Sequence, residues 1–407
     1  MAVHGTSDAR FDGVRKNFGR LLDGRLNGGG ALCVYENGRP VVDIWCGTRD
    51  RAGEQAWTPS TGAMLYSASK GLSAIVVHRL ADRGLIDYDE PVRTYWPEFS
   101  GSDITVRKLL LHRGGLSQLR RLVDGVDDLL DHDLMQARLA AASPDRHFGA
   151  PAYHALTFGW LMAGLAGAVT GKSMRELWAQ ELAEPLGVGE LSLGAPRDGE
   201  LELSEIVDPF RIGNAGLRDS VLSGLARLPG PAGAMAGGVH VGPGSAQLFK
   251  AQNPAIHDAQ MPAANGVASA RAMARIYAPL ATDGTLDGVR FLSESTVASF
   301  DGPFRWRRDR ALGLPMSWNH GFHRAPIPVA NGFGHVGYSG CFGWADPSTG
   351  LSVGFVHNRL MSTVAADLGS FLWLLPMISR AAAKGAPATA LSTRRGEPPT
   401  ITSAKAG

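Results

Sequence analysis

The apolar positions at the start of the chain follow first the spacing of a helix and then that of two strands. Within residues 11–26 they recur every three or four positions, which predicts a helix with one buried face. Residues 31–35 and 40–45 are apolar, β-prone runs, and Asn37-Gly38 between them is typical of a tight hairpin turn. The chain is therefore expected to begin with a helix followed by a β-hairpin.

Helical patterns dominate the residues that follow the hairpin. A long helix is expected over residues 67–83, with Gly84 as its C-cap. A shorter helix is expected over 103–112, with Thr105 as its N-cap. Residues 229–265 are rich in Gly and Pro and are predicted to be a loop region that lines a site.

Strand-like patterns return near the C-terminus. The β-prone runs are residues 332–335, 341–346 and 351–357, and a closing helix is expected over 363–382. Because strands lie at both ends of the chain and helices lie between them, we predict an α+β fold. Its single antiparallel sheet would combine the two ends, with a helical part packed against it.

These patterns predict one large domain, residues 1–383, built from two parts. The sheet part is expected from about 1–84 and 270–383, and the helical part from about 85–269. Residues 384–407 are rich in Pro, Ser, Thr and Ala, with few large apolar side chains, and are predicted to be a disordered tail.

Composition narrows the classes of partner. Lys and Arg number 40 and Asp and Glu 38, so the net charge is only +2, and we expect neither nucleic acid nor a membrane as partner. The three cysteines, Cys33, Cys46 and Cys341, form no CxxC pair, and residues 1–20 carry no apolar segment of a secretory signal. We therefore expect a cytoplasmic protein without disulfides, whose oligomeric state the sequence leaves open.

One short motif carries candidate chemistry. In Ser67-Ala-Ser-Lys70 the serine and lysine are three residues apart and so share one helix face. A serine hydroxyl becomes a good nucleophile when a base takes its proton, and a buried lysine can be that base because desolvation lowers its pKa. A helix cap followed by a surface lysine would give the same letters, and the motif alone arises by chance in most chains of this size.

Several other segments of the chain, in the same order as in a known superfamily, argue against a chance occurrence of this motif. With them the chain resembles the superfamily of serine β-lactamases, penicillin-binding proteins and family VIII carboxylesterases, nearest to the family VIII esterases and class C β-lactamases. The resemblance extends from about Phe11 to about Arg380. The matching segments are 65–71, 85–92, 95–99, 104–116, 153–160 and 333–340. It implies the β-lactamase/transpeptidase-like fold, an α/β/α sandwich with the active site in the cleft between sheet and helical part.

The resemblance also implies roles for individual residues. Ser67 would be the nucleophile, and Lys70 and Tyr153 would transfer its proton. We expect a phenol beside a cationic lysine to have a lowered pKa and to act as a base. Tyr153 begins a match to the family's Tyr-x-Asn motif, but the Asn position holds Ala155, which has no side-chain amide to contact a substrate amide. Without the other motifs, Tyr153 would be read as a packing aromatic at a helix start.

His335-Val-Gly337 matches the family's Lys-Thr-Gly motif in a His-x-Gly form. The resemblance implies a strand along the edge of the active site, where Gly337 lets the substrate backbone approach closely. The backbone N–H groups of Tyr338 and Ser67 would form the oxyanion hole. Taken alone, His335 would be read as a half-buried strand histidine bonded to backbone.

We therefore predict a serine esterase that cleaves small acyl esters through an acyl-enzyme on Ser67, with neither cofactor nor metal. The alternatives are a β-lactamase or D-aminopeptidase, an acyltransferase on the same scaffold, and an inactive binding protein of this fold. His112 is expected to orient a turn, and His320 and His323 to be isolated loop histidines. Arg359 could supply a positive charge that His335 lacks. No Gly-x-Ser-x-Gly sequence is present, which argues against an α/β-hydrolase.

Overall fold

A computed structural model describes most of the chain. The described residues are 1–23, 27–197, 199–207, 215–248, 254–302, 305–325, 330–360 and 364–384. The predicted disordered tail therefore lies, except for Lys384, outside the described residues.

Helices make up most of the middle of the chain and also flank both ends. The α-helices are α1 (Asp12–Leu21), α2 (Ser69–Asp82), α3 (Val106–Leu110), α4 (His132–Ala141), α5 (Thr157–Thr170), α6 (Met174–Leu177), α7 (Glu184–Leu186), α8 (Ala215–Ala226), α9 (Pro231–Val239), α10 (Ser245–Leu248), α11 (Pro254–Asp258), α12 (Ala270–Tyr277), α13 (Glu294–Phe300) and α14 (Val364–Ala383). A π-helical segment, Trp178–Ala183, joins α6 to α7.

The strands form one large sheet and smaller ones. In chain order they are β1 (His4–Ser7), β2 (Gly29–Glu36), β3 (Arg39–Gly47), β4 (Thr61–Met64), β5 (Leu191–Leu193), β6 (Glu202–Leu203), β7 (Gly266–Ala268), β8 (Thr285–Leu286), β9 (Val289–Arg290), β10 (Arg307–Arg308), β11 (Pro315–Met316), β12 (Trp318–Asn319), β13 (Phe322–His323), β14 (Phe333–Val336), β15 (Phe342–Asp346) and β16 (Leu351–His357). The eight-stranded sheet has the order β1-β3-β2-β16-β15-β14-β13-β12, and every neighbouring pair in it is antiparallel.

The predicted N-terminal hairpin is present as β2 and β3. Asn37 and Gly38 have φ of 49° and 75°, the left-handed values that a two-residue turn with the strand twist requires. Glu36 pairs with Arg39 directly across this turn, which fixes the register of the hairpin. The C-terminal strand β16 pairs with β2, so both chain ends share one sheet, as the pattern predicted.

The two faces of the large sheet are covered differently. A cluster on one face joins Phe11 and Phe18 of the N-terminal region to Phe371 and Ile378 of α14. A larger cluster on the other face joins the sheet to α2, α5 and α12. The fold is thus α+β, with helices on both sides of an antiparallel sheet, as predicted. The division of the chain into a sheet part and a helical part stays a prediction.

Capping residues predicted the ends of two helices correctly, whereas a segment rich in small residues was wrongly predicted to be a loop. Thr105 caps α3 by accepting a hydrogen bond from Lys108 N, and Gly84 follows α2 with φ of 74°. The prediction of a loop over 229–265 was wrong, because α9, α10 and α11 lie within it. In α9 the Pro at the first helical turn is compatible with a helix, and the small residues that follow carry no apolar periodicity to reveal it.

Among the described residues, no helix combines the length and the apolar character needed to cross a bilayer. Cys33, Cys46 and Cys341 are buried and form no disulfide.

Candidate active site

Ser67 lies in a strained turn at the beginning of the long helix. A 3₁₀ turn, Tyr66–Ala68, precedes α2, and Tyr66 has a φ of 48°. A left-handed conformation at a residue other than glycine is uncommon and clusters at functional sites. The sequence expectation of one continuous helix from Ser67 is thus refined: the serine stands just before the first α-helical residue, Ser69.

Lys70 is completely buried beside this serine. Its Nζ lies 2.9 Å from Ser67 Oγ and donates a hydrogen bond to the Ala263 carbonyl at 3.0 Å. Burial lowers the pKa of Lys70 well below the usual value for lysine, since water no longer stabilises the ammonium ion. The expected lysine partner of the serine is therefore present and desolvated.

The segment before β7 fixes the serine-bearing helix. Besides the Ala263 carbonyl, the Pro262 carbonyl accepts from Ser73 Oγ at 2.8 Å, and Ser69 Oγ accepts from Gly266 N at 3.1 Å. The sequence reading missed this contribution because main-chain carbonyls carry no residue signature.

Tyr153 meets Ser67 and Lys70 from the helical side. Its ring centroid lies 5.0 Å from Lys70 Nζ, and its side chain hydrogen-bonds to Ser67. The expectation of a lowered pKa for Tyr153 was wrong. Burial raises the pKa, and the charge of Asp309 adds to this, while the hydrogen bond with Ser67 offsets only part. Burial also disfavours the cationic form of Lys70, the form that was expected to stabilise a phenolate.

His335 forms the opposite wall, on strand β14, where the motif placed it. Its side chain is buried, and its Nδ1 lies 3.1 Å from the Val336 carbonyl. Burial lowers the pKa of His335 well below its usual value, with smaller contributions from His323 and Lys70, so the ring is neutral. A neutral ring that donates from Nδ1 leaves Nε2 as an acceptor, and this atom has no hydrogen-bond partner among the described residues.

Gly337 brings the end of β14 against the serine turn. A Cβ at this position would lie 2.2 Å from the Leu65 carbonyl oxygen, so only glycine allows the approach. Its N–H donates to the Cys341 carbonyl at 2.7 Å, which closes a turn after β14. The following residue, Tyr338, packs its ring 5.8 Å from that of Tyr66. The His-x-Gly segment and the serine turn are thereby in direct contact.

His323 and His112, which were not predicted to be catalytic, both lie close to the candidate catalytic residues. His323 is in strand β13 and not in a loop; its Nε2 accepts from Val336 N at 3.1 Å and its ring lies 5.0 Å from that of His335. His112 has a φ of 56° and accepts from His154 N at 3.2 Å, so it does orient a turn. Its ring also packs 5.1 Å from that of Tyr153.

Two positions that could have bound a polar or charged part of a substrate do not offer the expected group. Ala155 is buried in a small apolar cluster with Ala234 and Ala311, where the family motif would place an amide. Arg359, a candidate source of positive charge, instead donates to the Leu22 carbonyl at 2.6 Å. Sequence reasoning also missed Asp309 and Trp318, which contact Tyr153 from over 150 residues away in the chain.

Comparisons with known proteins agree with this geometry. A family model described as "Beta-lactamase" matches residues 14–375. Esterase/beta-lactamase LipL of Mycobacterium tuberculosis (strain ATCC 25618 / H37Rv) is 47% identical over 393 residues, covering 94% of this chain and 89% of that protein. The crystal structure of a family VIII carboxylesterase matches with a TM-score of 0.77 and 30% identity, over 94% of this chain and 100% of that chain. EstA from Arthrobacter nitroguajacolicus Rue61a gives a TM-score of 0.78 at 25% identity, over 95% and 100% of the two chains.

The family model covers most of the chain, and the structure brings Ser67, Lys70, Tyr153 and His335, which the three motifs contain, into proximity. This protein belongs to the β-lactamase family and has its β-lactamase/transpeptidase-like fold.

Proposed function

We propose that this protein is a serine hydrolase that cleaves small, uncharged acyl esters through an acyl-enzyme on Ser67. The observation that carries the proposal is the fully buried Lys70, whose Nζ lies 2.9 Å from Ser67 Oγ. A neutral amine at this distance can accept the hydroxyl proton. In that protonation state the Ser67 hydroxyl donates the hydrogen bond and the Lys70 amine accepts it.

The mechanism follows from the protonation states. The Lys70 amine takes the Ser67 proton as the serine oxygen bonds to the ester carbonyl carbon. Tyr153, whose raised pKa keeps the phenol protonated, gives its proton to the departing alkoxide and is reprotonated by the Lys70 ammonium. Water then attacks the acyl carbon and gives its proton to Lys70. The bond between that carbon and the serine oxygen breaks as Tyr153 returns a proton to the oxygen, and the Lys70 ammonium then reprotonates Tyr153.

The oxyanion of the tetrahedral intermediate would be bound by the backbone N–H groups of Ser67 and Tyr338. Contact between Gly337 and the Leu65 carbonyl supports this assignment, since it brings the two backbone segments together. Each such donor is worth roughly 3 kcal/mol of transition-state stabilisation.

The substrate class follows from the polarity of the walls. His335 is neutral and buried, so it offers no cation for a substrate carboxylate. Ala155 offers no amide group for an acyl-amide side chain, and its neighbours in the small cluster are apolar. A site without these groups has little preference for a charged, amide-bearing β-lactam. The name of the relative LipL includes both esterase and β-lactamase, and this supports the β-lactamase alternative.

The test compares two chromogenic substrates. We expect kcat/KM for a short-chain p-nitrophenyl ester to exceed that for a chromogenic cephalosporin, and Ser67→Ala to abolish both. A fluorophosphonate should add once, at Ser67, and Ser102→Ala, at an exposed serine, is the control that should still be labelled. A cephalosporin preference of about tenfold or more, which is 1.4 kcal/mol of differential transition-state binding, would replace the esterase proposal with the lactamase one.

A further inference from the structure

Asp309 is a fully buried carboxylate outside the three family motifs. It follows β10 directly, in the connection to β11, and is 0% exposed. Its neighbours Arg308 and Arg310 are exposed, and within the described residues Asp309 forms no ion pair. A buried charge is costly unless hydrogen bonds satisfy it, so its partners show what it organises.

Those partners converge on Tyr153. One oxygen, Oδ1, accepts from Tyr153 N at 3.1 Å and from Ala311 N and Leu312 N, each at 2.9 Å. The other, Oδ2, accepts from the indole Nε1 of Trp318 at 2.9 Å. The carboxylate therefore holds the Tyr153 backbone and an aromatic side chain at the same time.

Trp318 lies flat against the Tyr153 ring. Their centroids are 5.2 Å apart and the planes differ by 3°, so the two rings are stacked. The indole also packs against His112, with centroids 4.4 Å apart, which limits its movement on another side. The bond to Asp309 fixes the rotation of the indole and hence the surface on which the phenol rests.

Tyr153 needs such support because it lies outside regular structure. It stands in the segment before α5, where no helix or strand hydrogen bonds fix its backbone. A catalytic group on a loop keeps a reactive geometry only when its neighbours hold it, and small misplacements cost large factors in rate.

We propose that Asp309 and Trp318 are positioning residues that hold the Tyr153 phenol against Ser67 and Lys70. This inference rests on the proposed function, in which Tyr153 is the proton donor. Neither residue touches the reacting atoms. Their effect therefore has to pass through Tyr153, and a double-mutant cycle can detect that.

The experiment uses the full chain and two readouts. Trp318→Phe retains an aromatic stack and removes the indole donor, whereas Asp309→Asn retains the shape and removes the charge. We expect each to lower kcat for the p-nitrophenyl ester by ~10-fold with KM nearly unchanged. In a Tyr153→Phe background the same changes should cost less than about twofold, because the residue they position no longer donates a proton. Trp306→Phe, at an exposed tryptophan just before β10, is the matched control and should retain full activity.

The second readout separates this inference from the proposed function. The rate of Ser67 labelling by a fluorophosphonate needs no knowledge of the substrate. If the unsubstituted protein is not labelled at Ser67, the proposed function fails. If it is labelled and turns over the ester, but both variants match it in kcat, the positioning role fails. Losses that multiply fully with Tyr153→Phe would also overturn it, since they would indicate a general structural role. Should Asp309→Asn fail to fold, Trp318→Phe alone decides.

Discussion

At the scale of the residue, Lys70 combines a catalytic assignment with a cost to stability. The amine is fully buried and its pKa is lowered by desolvation, whereas in the unfolded chain a lysine has a pKa of about 10.4. Between the lowered folded value and about 10.4, the unfolded state therefore binds a proton that the folded state does not. Burial of Lys70 therefore does not destabilise the folded state by proton binding at high pH. As the pH falls below about 10.4, the free energy of unfolding decreases, and it stops decreasing once the pH is below the folded pKa.

Lys70→Met should remove that dependence. The free energy of unfolding is measured by urea titration between pH 7.5 and 9.5 for the variant and the unsubstituted protein. Within the window set by the two pKa values, the difference, variant minus unsubstituted, should increase by about 1.4 kcal/mol for each unit by which the pH is lowered. Lys16→Met, at an exposed lysine on α1, is the control and should follow the unsubstituted protein. A difference that does not change with pH would mean that Lys70 is protonated in the folded state, and the base assignment would be lost.

At the scale of the element, the contact between β14 and the serine turn depends on one missing side chain. A Cβ on Gly337 would meet the Leu65 carbonyl oxygen at 2.2 Å, and backbone cannot yield as a flexible side chain can. The two segments must separate to admit even a methyl group. That separation would move the proposed oxyanion donors of Ser67 and Tyr338 apart.

Gly337→Ala should therefore cost both activity and stability. We expect kcat for the ester to fall by ~100-fold, the scale of losing one oxyanion donor, and the melting temperature to drop. Gly13→Ala is the matched control, because its Cβ would meet nothing within 4 Å on helix α1. Alanine there should be neutral or stabilising by up to about 1 kcal/mol. An active and stable Gly337→Ala protein would argue against a tight β14–serine turn contact.

At the scale of the whole molecule, a single apolar cluster crosses from the sheet to the helices. It includes Cys33 and Val356 of the sheet together with Leu161 and Trp178 of the helical middle. Residues that share one core cannot lose it independently, so unfolding should be cooperative despite the length of the chain.

Urea unfolding followed at 222 nm and by tryptophan fluorescence should accordingly give coincident transitions. The far-ultraviolet signal reports mainly the helices, and the nine tryptophans are distributed over both sheet and helices. Two resolved transitions would show that the sheet part and the helical part fold as separate units.

The sequence determined many of this protein's elements, though not the helices within 229–265, and it determined its chemical groups. Alternation and turn residues are local properties, so the hairpin at Asn37-Gly38, the cap at Thr105 and strand β16 could be predicted within a residue or two. The short spacing of Ser67 and Lys70 likewise predicts that they share one helix face, whereas Tyr153 and His335 were identified only through the resemblance to a known family.

Tertiary structure alone decided how these groups behave. The pKa of Tyr153 is raised because burial and the charge of the distant Asp309 outweigh its hydrogen bond with Ser67. The Ala263 carbonyl, the Trp318 stack and the Gly337–Leu65 contact join residues far apart in the chain. Solvent exclusion and long-range contacts are properties of the packed molecule, and no local pattern of residues records them.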